Sequence, residues 1–288
     1  MSDYELTYND YDSREKILPE RDKAYTPVME AVGLSIEFGG LPAVDDFNLT
    51  VGRTEICGLI GPNGAGKTTV FNLLTKVYQP TRGKILIDGK DTRGMSTIQV
   101  NRAGVARTFQ NIRLFKNLSV IDNVLIGMHN HTHYNMLTST LRLPGYWKAE
   151  KQARERALDL LSIFGMQDQA DAEAGSLPYG AQRRLEIVRA LATGPKLLLL
   201  DEPAAGMNPS ETSELMENIH KIRDTFQIAI MLIEHDMSLV MGICEGIAVL
   251  NYGKIIAKGT PEEIRRNPVV IEAYLGKKRG EKQDAEGQ

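Results

Sequence analysis

The stretch Gly61-Pro62-Asn63-Gly64-Ala65-Gly66-Lys67-Thr68 satisfies the pattern G-x-x-x-x-G-K-[ST] without a mismatch. No other feature narrows the possible folds as far, because the pattern has a mechanical meaning. Its glycines let the backbone wrap tightly, so that successive N–H groups point inward at phosphate oxygens. A helix starting at its end adds the positive end of its dipole. The flanks fit: Glu55–Ile60 is a short, mostly apolar strand candidate, and Lys67–Tyr78 has helical spacing. In this arrangement Lys67 is expected to reach the β- and γ-phosphates of a nucleotide, and the Thr68 hydroxyl to ligate Mg2+. A chance glycine-rich turn would not come with both flanks.

The rest of the chain reads as an α/β pattern. Val28–Phe38 and Asp46–Val51 alternate like strands, Lys84–Asp88 is a strand with a turn at Gly89, and Val105–Phe109 is a short strand. Leu197–Asp201, Ile228–Ile233 and Ile247–Leu250 are buried strands, while Gly180–Thr193 and Ser210–Phe226 are helices. Strands alternating with helices imply a parallel sheet. From Ser119 to Phe164 the spacing is helical, with a loop centred on Leu143-Pro144-Gly145, and this block reads as a lobe inserted in the sheet.

The run Leu177–Pro209 carries the second chemical signal. Leu197–Leu200 is entirely apolar and ends on two adjacent carboxylates, Asp201 and Glu202. An apolar run of this kind suits a central strand, and ligands of open α/β sheets bind beyond the carboxyl ends of strands. Asp201 suits a Mg2+-holding role and Glu202 that of a base or positioner for an attacking water. A solvated acidic turn would explain a lone Asp, but not one paired with a phosphate loop.

Global properties exclude several classes. The 288 residues are enough for one large domain or two lobes. A net charge of −3 gives no reason to expect nucleic acid as a partner. Cys57 and Cys244 lack metal-ligand spacing and read as free buried thiols of a reducing compartment. No run of about 18 apolar residues is present, and the N-terminus lacks a secretory signal pattern. Residues 1–26 and 277–288 are polar and charged, and are expected to be flexible extensions.

From Val28 to Gly276 the chain resembles the ATP-binding-cassette (ABC) ATPases. Gly61–Thr69 is similar to the family's Walker A loop, so that Thr69 joins the nucleotide-binding set, and Leu197–Glu202 is similar to its Walker B strand with the catalytic Glu. Gln110, in Arg107-Thr108-Phe109-Gln110, resembles the Q-loop glutamine that touches Mg2+ and the attacking water. His235, in Ile233-Glu234-His235-Asp236-Met237, resembles the switch histidine at the γ-phosphate. Phe38 is similar to the aromatic that stacks on adenine, and Ala205–Pro209 occupies the D-loop position. The resemblance implies a cassette at 27–276: a mainly parallel sheet core, an antiparallel β subdomain and a helical subdomain at about 111–176.

Leu177-Pro178-Tyr179-Gly180-Ala181 aligns with the family's LSGGQ signature, followed by Gln182. Pro178 replaces the usual Ser and has neither a hydroxyl nor an N–H to donate. Gly180 and the N-terminus of a basic helix carrying Arg183 and Arg184 remain as the expected anion site. The D-loop has Asn208 where many members carry Asp. Arg183-Arg184-Leu-Glu-Ile-Val-Arg189, Glu202-Pro-Ala-Ala-Gly-Met-Asn208-Pro and Asn267-Pro-Val-Val-Ile-Glu-Ala-Tyr274-Leu-Gly276 look most like ATPase subunits of branched-chain amino-acid importers.

What the resemblance implies is an ATP- and Mg2+-dependent motor on the cytoplasmic face of the inner membrane. It would pair with a second ATPase subunit, same or homologous, whose signature turn covers the γ-phosphate. Its helical lobe would meet transmembrane permease subunits, and it would serve a substrate-binding protein indirectly. Cargo stays open, because relatives handle urea, amides or lipopolysaccharide. Soluble ribosome-acting cassettes typically carry two phosphate loops, and this chain has one; a DNA-repair cassette would need a long heptad insertion. A nucleotide-binding module with little turnover is disfavoured by Glu202 and His235. The tract His129-Asn-His131-Thr-His133 lacks a second ligand cluster and reads as an exposed loop rather than a metal site.

Overall fold

The computed structural model describes residues 26–130 and 144–275. Residues 1–25, the 277–288 tail, and His131, His133 and Leu143 lie outside them.

Two sheets share the framework. The larger, six-stranded sheet runs in the order β10-β9-β3-β8-β7-β6, with β3 Ile56–Ile60, β6 Val105–Arg107, β7 Leu197–Asp201, β8 Ala229–Ile233, β9 Gly246–Asn251 and β10 Lys254–Gly259. β9, β3, β8, β7 and β6 pair in parallel, and β10 closes the edge antiparallel to β9. The smaller sheet is antiparallel, in the order β2-β1-β4-β5, with β1 Met29–Phe38, β2 Leu41–Val51, β4 Arg82–Ile87 and β5 Lys90–Asp91.

The apolar runs of the central strands have a direct cause: both faces of the large sheet are covered. In β7, Leu198 and Leu200 join one core cluster while Leu197 and Leu199 join the other. β3 divides the same way, with Ile56 and Ile60 on the first side and Cys57 and Leu59 on the second. The first side is packed by α3 Val120–Gly127, α4 Pro144–Ser162, α5 Tyr179–Leu191, α6 Pro209–Phe226 and α7 Met237–Ile243. The second side is packed by α1 Lys67–Leu74, α2 Thr97–Arg102 and the antiparallel sheet. The chain ends on α8 Pro261–Arg266 and α9 Pro268–Leu275.

Several boundaries differ from the sequence reading. α1 stops at Leu74 rather than Tyr78, because Lys76 takes a left-handed backbone (φ 57°) that ends the helix. Pro144 and Gly145 begin α4 rather than forming a loop; proline is tolerated at the first helical position, where its missing N–H would be unpaired anyway. The two-residue β5 is too short to signal itself, and β10, whose apolar residues Ile255, Ile256 and Ala257 are consecutive, lacks the alternation that marks a strand. Among the described residues no helix is long and apolar enough to cross a membrane.

Candidate functional site

The loop joining β3 to α1 passes so close to β9 that a Cβ on Gly61 would stand 2.0 Å from the Leu250 carbonyl oxygen. Only glycine fits that crossing. Gly66 is the N-cap of α1 and offers no side chain to its free N–H groups, which leaves those donors facing outward. Lys67 Nζ donates to the carbonyls of Gly61 (2.7 Å) and Pro62 (3.0 Å). Burial holds the Lys67 ammonium below the usual lysine range, and the nearby charges of Glu202 and Asp201 oppose that shift.

A cavity of about 660 Å3 opens over this loop. It is lined by Asn63, Gly64, Ala65, Gly66, Lys67, Thr68 and Thr69 together with Gln110, Glu202 and His235. Four segments distant in sequence therefore meet at one place. Glu202 is the hub: one carboxylate oxygen lies 2.7 Å from His235 Nε2, and the other accepts from Gln110 Nε2 at 3.1 Å. Its backbone is left-handed (φ 49°), a conformation that non-glycine residues adopt infrequently. The Glu202 N–H is tied to the Ile233 carbonyl at 2.9 Å, so the end of β8 fixes the turn beyond β7.

Behind Glu202 stands Asp201, 1 % exposed. Its Oδ2 accepts from Arg107 Nη2 at 2.7 Å, and its Oδ1 is buried with no hydrogen-bond partner. An orphaned buried carboxylate oxygen is costly unless something electropositive meets it. Mg2+ binds through one or two carboxylates, substrate phosphates and water rather than an all-protein cage. Thr68 at the cavity wall and the free oxygen of Asp201 fit that donor set. Among the described residues no group of three His, Cys, Asp or Glu could hold a metal by itself.

Not every expected binding residue reaches the cavity. Phe38 is half-exposed at the end of β1 and packs edge-on against Tyr78, with ring centroids 5.3 Å apart. Leu177–Gln182 open α5, and none of them lines the cavity. There Pro178 is the N-cap and contributes no side-chain cap. Tyr179 is half-exposed and lies over Gly206, while a Cβ on Gly180 would meet Glu211 Oε1 at 2.8 Å. Asn208 caps α6 by accepting from Glu211 N, and the Glu211 side chain accepts from Asn208 N, so the D-loop runs directly into a capping box.

The basic residues of α5 add no free cation to the anion site expected at its N-terminus: Arg183 is 0 % exposed and turned inward. Arg184 is no free cation either, since it pairs with Glu214 at 3.5 Å. Three further residues escaped sequence reasoning. Arg107 bridges Asp201 to Asn72 Oδ1 (2.7 Å) and lies over the rings of Phe71 and Phe109. Glu186 accepts from the backbone N–H groups of Phe109 and Arg113, on either side of Gln110. Glu234 is buried, its pKa raised by desolvation, and it accepts from Ala204 N (2.8 Å) and His235 N (3.1 Å). Arg107 and Glu234 each adjoin a recognised motif, which was the one available signal.

Comparison with known proteins identifies the family. The family model described as ABC transporter matches residues 44–205, and that of the branched-chain amino acid ATP-binding cassette transporter matches residues 254–279. The chain is 48 % identical over 250 residues to the high-affinity branched-chain amino acid transport ATP-binding protein BraF of Pseudomonas aeruginosa, covering 87 % of this chain and 98 % of that one. It is 49 % identical to LivG of Escherichia coli, a protein of the same description, with the same coverage. It is 32 % identical to the lipopolysaccharide export system ATP-binding protein LptB of Haemophilus influenzae, over 86 % of this chain and 97 % of the relative. Among solved structures, the ADP conformation of MJ1267, an ATP-binding cassette of an ABC transporter, superposes with a TM-score of 0.75 at 28 % identity, over 87 % of this chain and 99 % of that one.

Proposed function

The chain belongs to the ABC transporter family of ATP-binding cassettes, and on that premise we propose that it is the ATP-hydrolysing motor subunit of an importer for branched-chain amino acids. The observation that carries the hydrolytic half is the Glu202 carboxylate, held between Gln110 and His235 at the mouth of the phosphate-loop cavity. A carboxylate so placed can orient and deprotonate a water aimed at a γ-phosphate. Lys67 and the N–H groups of Gly61–Thr69 would cradle the β- and γ-phosphates and His235 would contact the γ-phosphate, while Phe38, half-exposed outside the cavity at the end of β1, is free to stack on an adenine that extends beyond it. Thr68, Asp201 and Gln110 would hold Mg2+, which supplies charge neutralisation at the phosphate oxygens. Catalysis by this chain is then positioning and electrostatic stabilisation.

Leu177–Gln182 do not line this chain's own cavity. The same residues of a second ATPase subunit would close it, with backbone N–H groups of α5 taking the place of the absent serine hydroxyl. Permease subunits would dock where the helical lobe meets α5 and β6, at a groove of about 270 Å3 lined by Phe115 and Ile126 from the lobe and by Arg107, Glu186 and Arg189 from outside it. Phe115 and Ile126 are both well exposed there. On this reading the subunit would sit peripherally at the cytoplasmic face of the membrane, served by a substrate-binding protein on the far side. The branched-chain cargo is supported by the match over residues 254–279 and by the two relatives near 50 % identity. The test is reconstitution with the transmembrane subunits and uptake across a panel of solutes. ATP-dependent uptake of leucine, isoleucine or valine supports the reading; uptake confined to urea or amides, or lipopolysaccharide release, overturns the cargo.

A further inference from the structure

Arg183 makes an unusual set of bonds for a fully buried cation. Nη2 donates to the backbone carbonyls of Asp201 (2.7 Å) and Glu202 (2.5 Å). Nη1 donates to the Phe109 carbonyl and to Glu186 Oε2, the latter at 2.9 Å. The partner carboxylate is 1 % exposed, and its other oxygen accepts from Phe109 N (3.4 Å) and Arg113 N (3.2 Å). One ion pair therefore ties three things to a single turn of α5: the carbonyls of Asp201, which ends β7, and of Glu202, which follows it, the segment carrying Gln110, and the signature turn at the head of the same helix. Glu186 also lines the groove beside Phe115 and Ile126.

A buried ion pair is a poor stabiliser, since its desolvation offsets most of its attraction. Its donors here go to main-chain carbonyls that define where Glu202 points. Glu202 has a left-handed backbone, which persists only when its surroundings over-determine it. Ile233 O fixes its N–H side and Arg183 fixes its carbonyl side.

We propose that Arg183 is a positioning residue for ATP hydrolysis, which holds the Glu202 backbone in its reactive conformation and, through Glu186, keys that conformation to the Gln110 segment and the docking groove. This rests on the reading of Glu202 as the group that orients the attacking water. Arg183 touches no nucleotide, so its removal should act on turnover and spare binding.

The experiment uses the full chain, with ATP turnover and ATP affinity measured separately by initial rates and by binding of a fluorescent ATP analogue. Arg183→Lys keeps the charge but loses the forked donor geometry. The double variant Arg183→Met with Glu186→Leu keeps the volume and leaves no unpaired buried charge, a replacement that folds in other buried pairs. The expected result is a kcat lower by about 10-fold for Arg183→Lys and about 100-fold for the double variant, the scale of a 1 Å misplacement. Analogue affinity should stay within about 3-fold and the circular-dichroism spectrum unchanged, because the phosphate loop is untouched. A folded double variant with natural kcat overturns the proposal, as does a parallel loss of affinity and kcat, or failure of both variants to fold. If the natural chain itself does not hydrolyse ATP while binding the analogue, it is the proposed function that fails.

Discussion

His235 Nε2 lies 2.7 Å from Glu202 Oε1, although 33 residues separate the two in sequence. The contact joins the ends of two neighbouring parallel strands, β7 and β8, whose registered pairing sets Asp201 opposite Ile233. The chemistry thus follows from strand order. Parallel strands bring their carboxyl ends to one edge, and the residues just beyond that edge meet whatever the phosphate loop holds.

Glu202→Gln is expected to slow ATP hydrolysis by at least about 100-fold, the usual contribution of a positioned general base. The amide keeps the size of the side chain but cannot take a proton. ATP affinity should be retained, because the phosphate-binding groups are elsewhere. Rapid-quench measurement of a single turnover reads the chemical step directly, and a near-natural rate would refute the role given to Glu202.

Lys67→Ala removes the ammonium that lies against the Gly61 and Pro62 carbonyls. A charge-assisted hydrogen bond contributes about 1.5–3 kcal/mol, so ATP affinity or turnover should fall by about 10- to 100-fold. Titration calorimetry with ATP, alongside steady-state rates, measures both. Unchanged affinity together with unchanged turnover would remove Lys67 from the phosphate site.

What could be read from the sequence, and what could not, divides along the range of the interactions. The phosphate loop and the acidic end of β7 are local: a strand, a turn and a helix in one short stretch specify them, and their spacing is visible in the chain. Arg107 and Asp201 are 94 residues apart, and nothing in either neighbourhood announces the pair. Arg183 is more instructive. It sits in a basic run beside Arg184, yet the two side chains point about 100° apart around the helix. α5 buries Leu185, Ile187, Val188 and Glu186 alike, so no clean apolar stripe marks the inward face. The buried polar network had to come from tertiary packing, where main-chain carbonyls beyond β7 need a donor.

Arg107→Ala is expected to destabilise the fold by about 3–5 kcal/mol, because it strands the buried Asp201 carboxylate without its partner. The pair is deeply enclosed, with side-chain exposures of 6 % and 2 %. Urea unfolding followed by circular dichroism gives the difference. The loss should shrink in Arg107→Ala with Asp201→Asn, where the stranded charge is gone. A single variant as stable as the natural chain would show that Asp201 is held by something else.

Asp88 links the two sheets' surroundings through Arg53, at 2.9 Å, and through Lys196, just before β7. Partial burial raises its pKa, but the hydrogen bonds and charges of Lys196 and Arg53 outweigh that and leave it below the usual aspartate value. The sign follows from linkage. A carboxylate with a depressed folded pKa stabilises the fold above its unfolded value, about 3.9, and loses that contribution as pH falls through the folded value. Asp88 has a left-handed backbone (φ 48°), which Asn also tolerates, so Asp88→Asn removes the charge without a backbone penalty. The variant should be less stable at pH 7 by about 0.5–1 kcal/mol, the scale of a partly exposed ion pair, and the difference should vanish in acid below both pKa values. Paired urea titrations of the two chains from pH 7 down to about 3 follow the gap through that window; a gap that stays constant across it would assign the loss to packing rather than to charge.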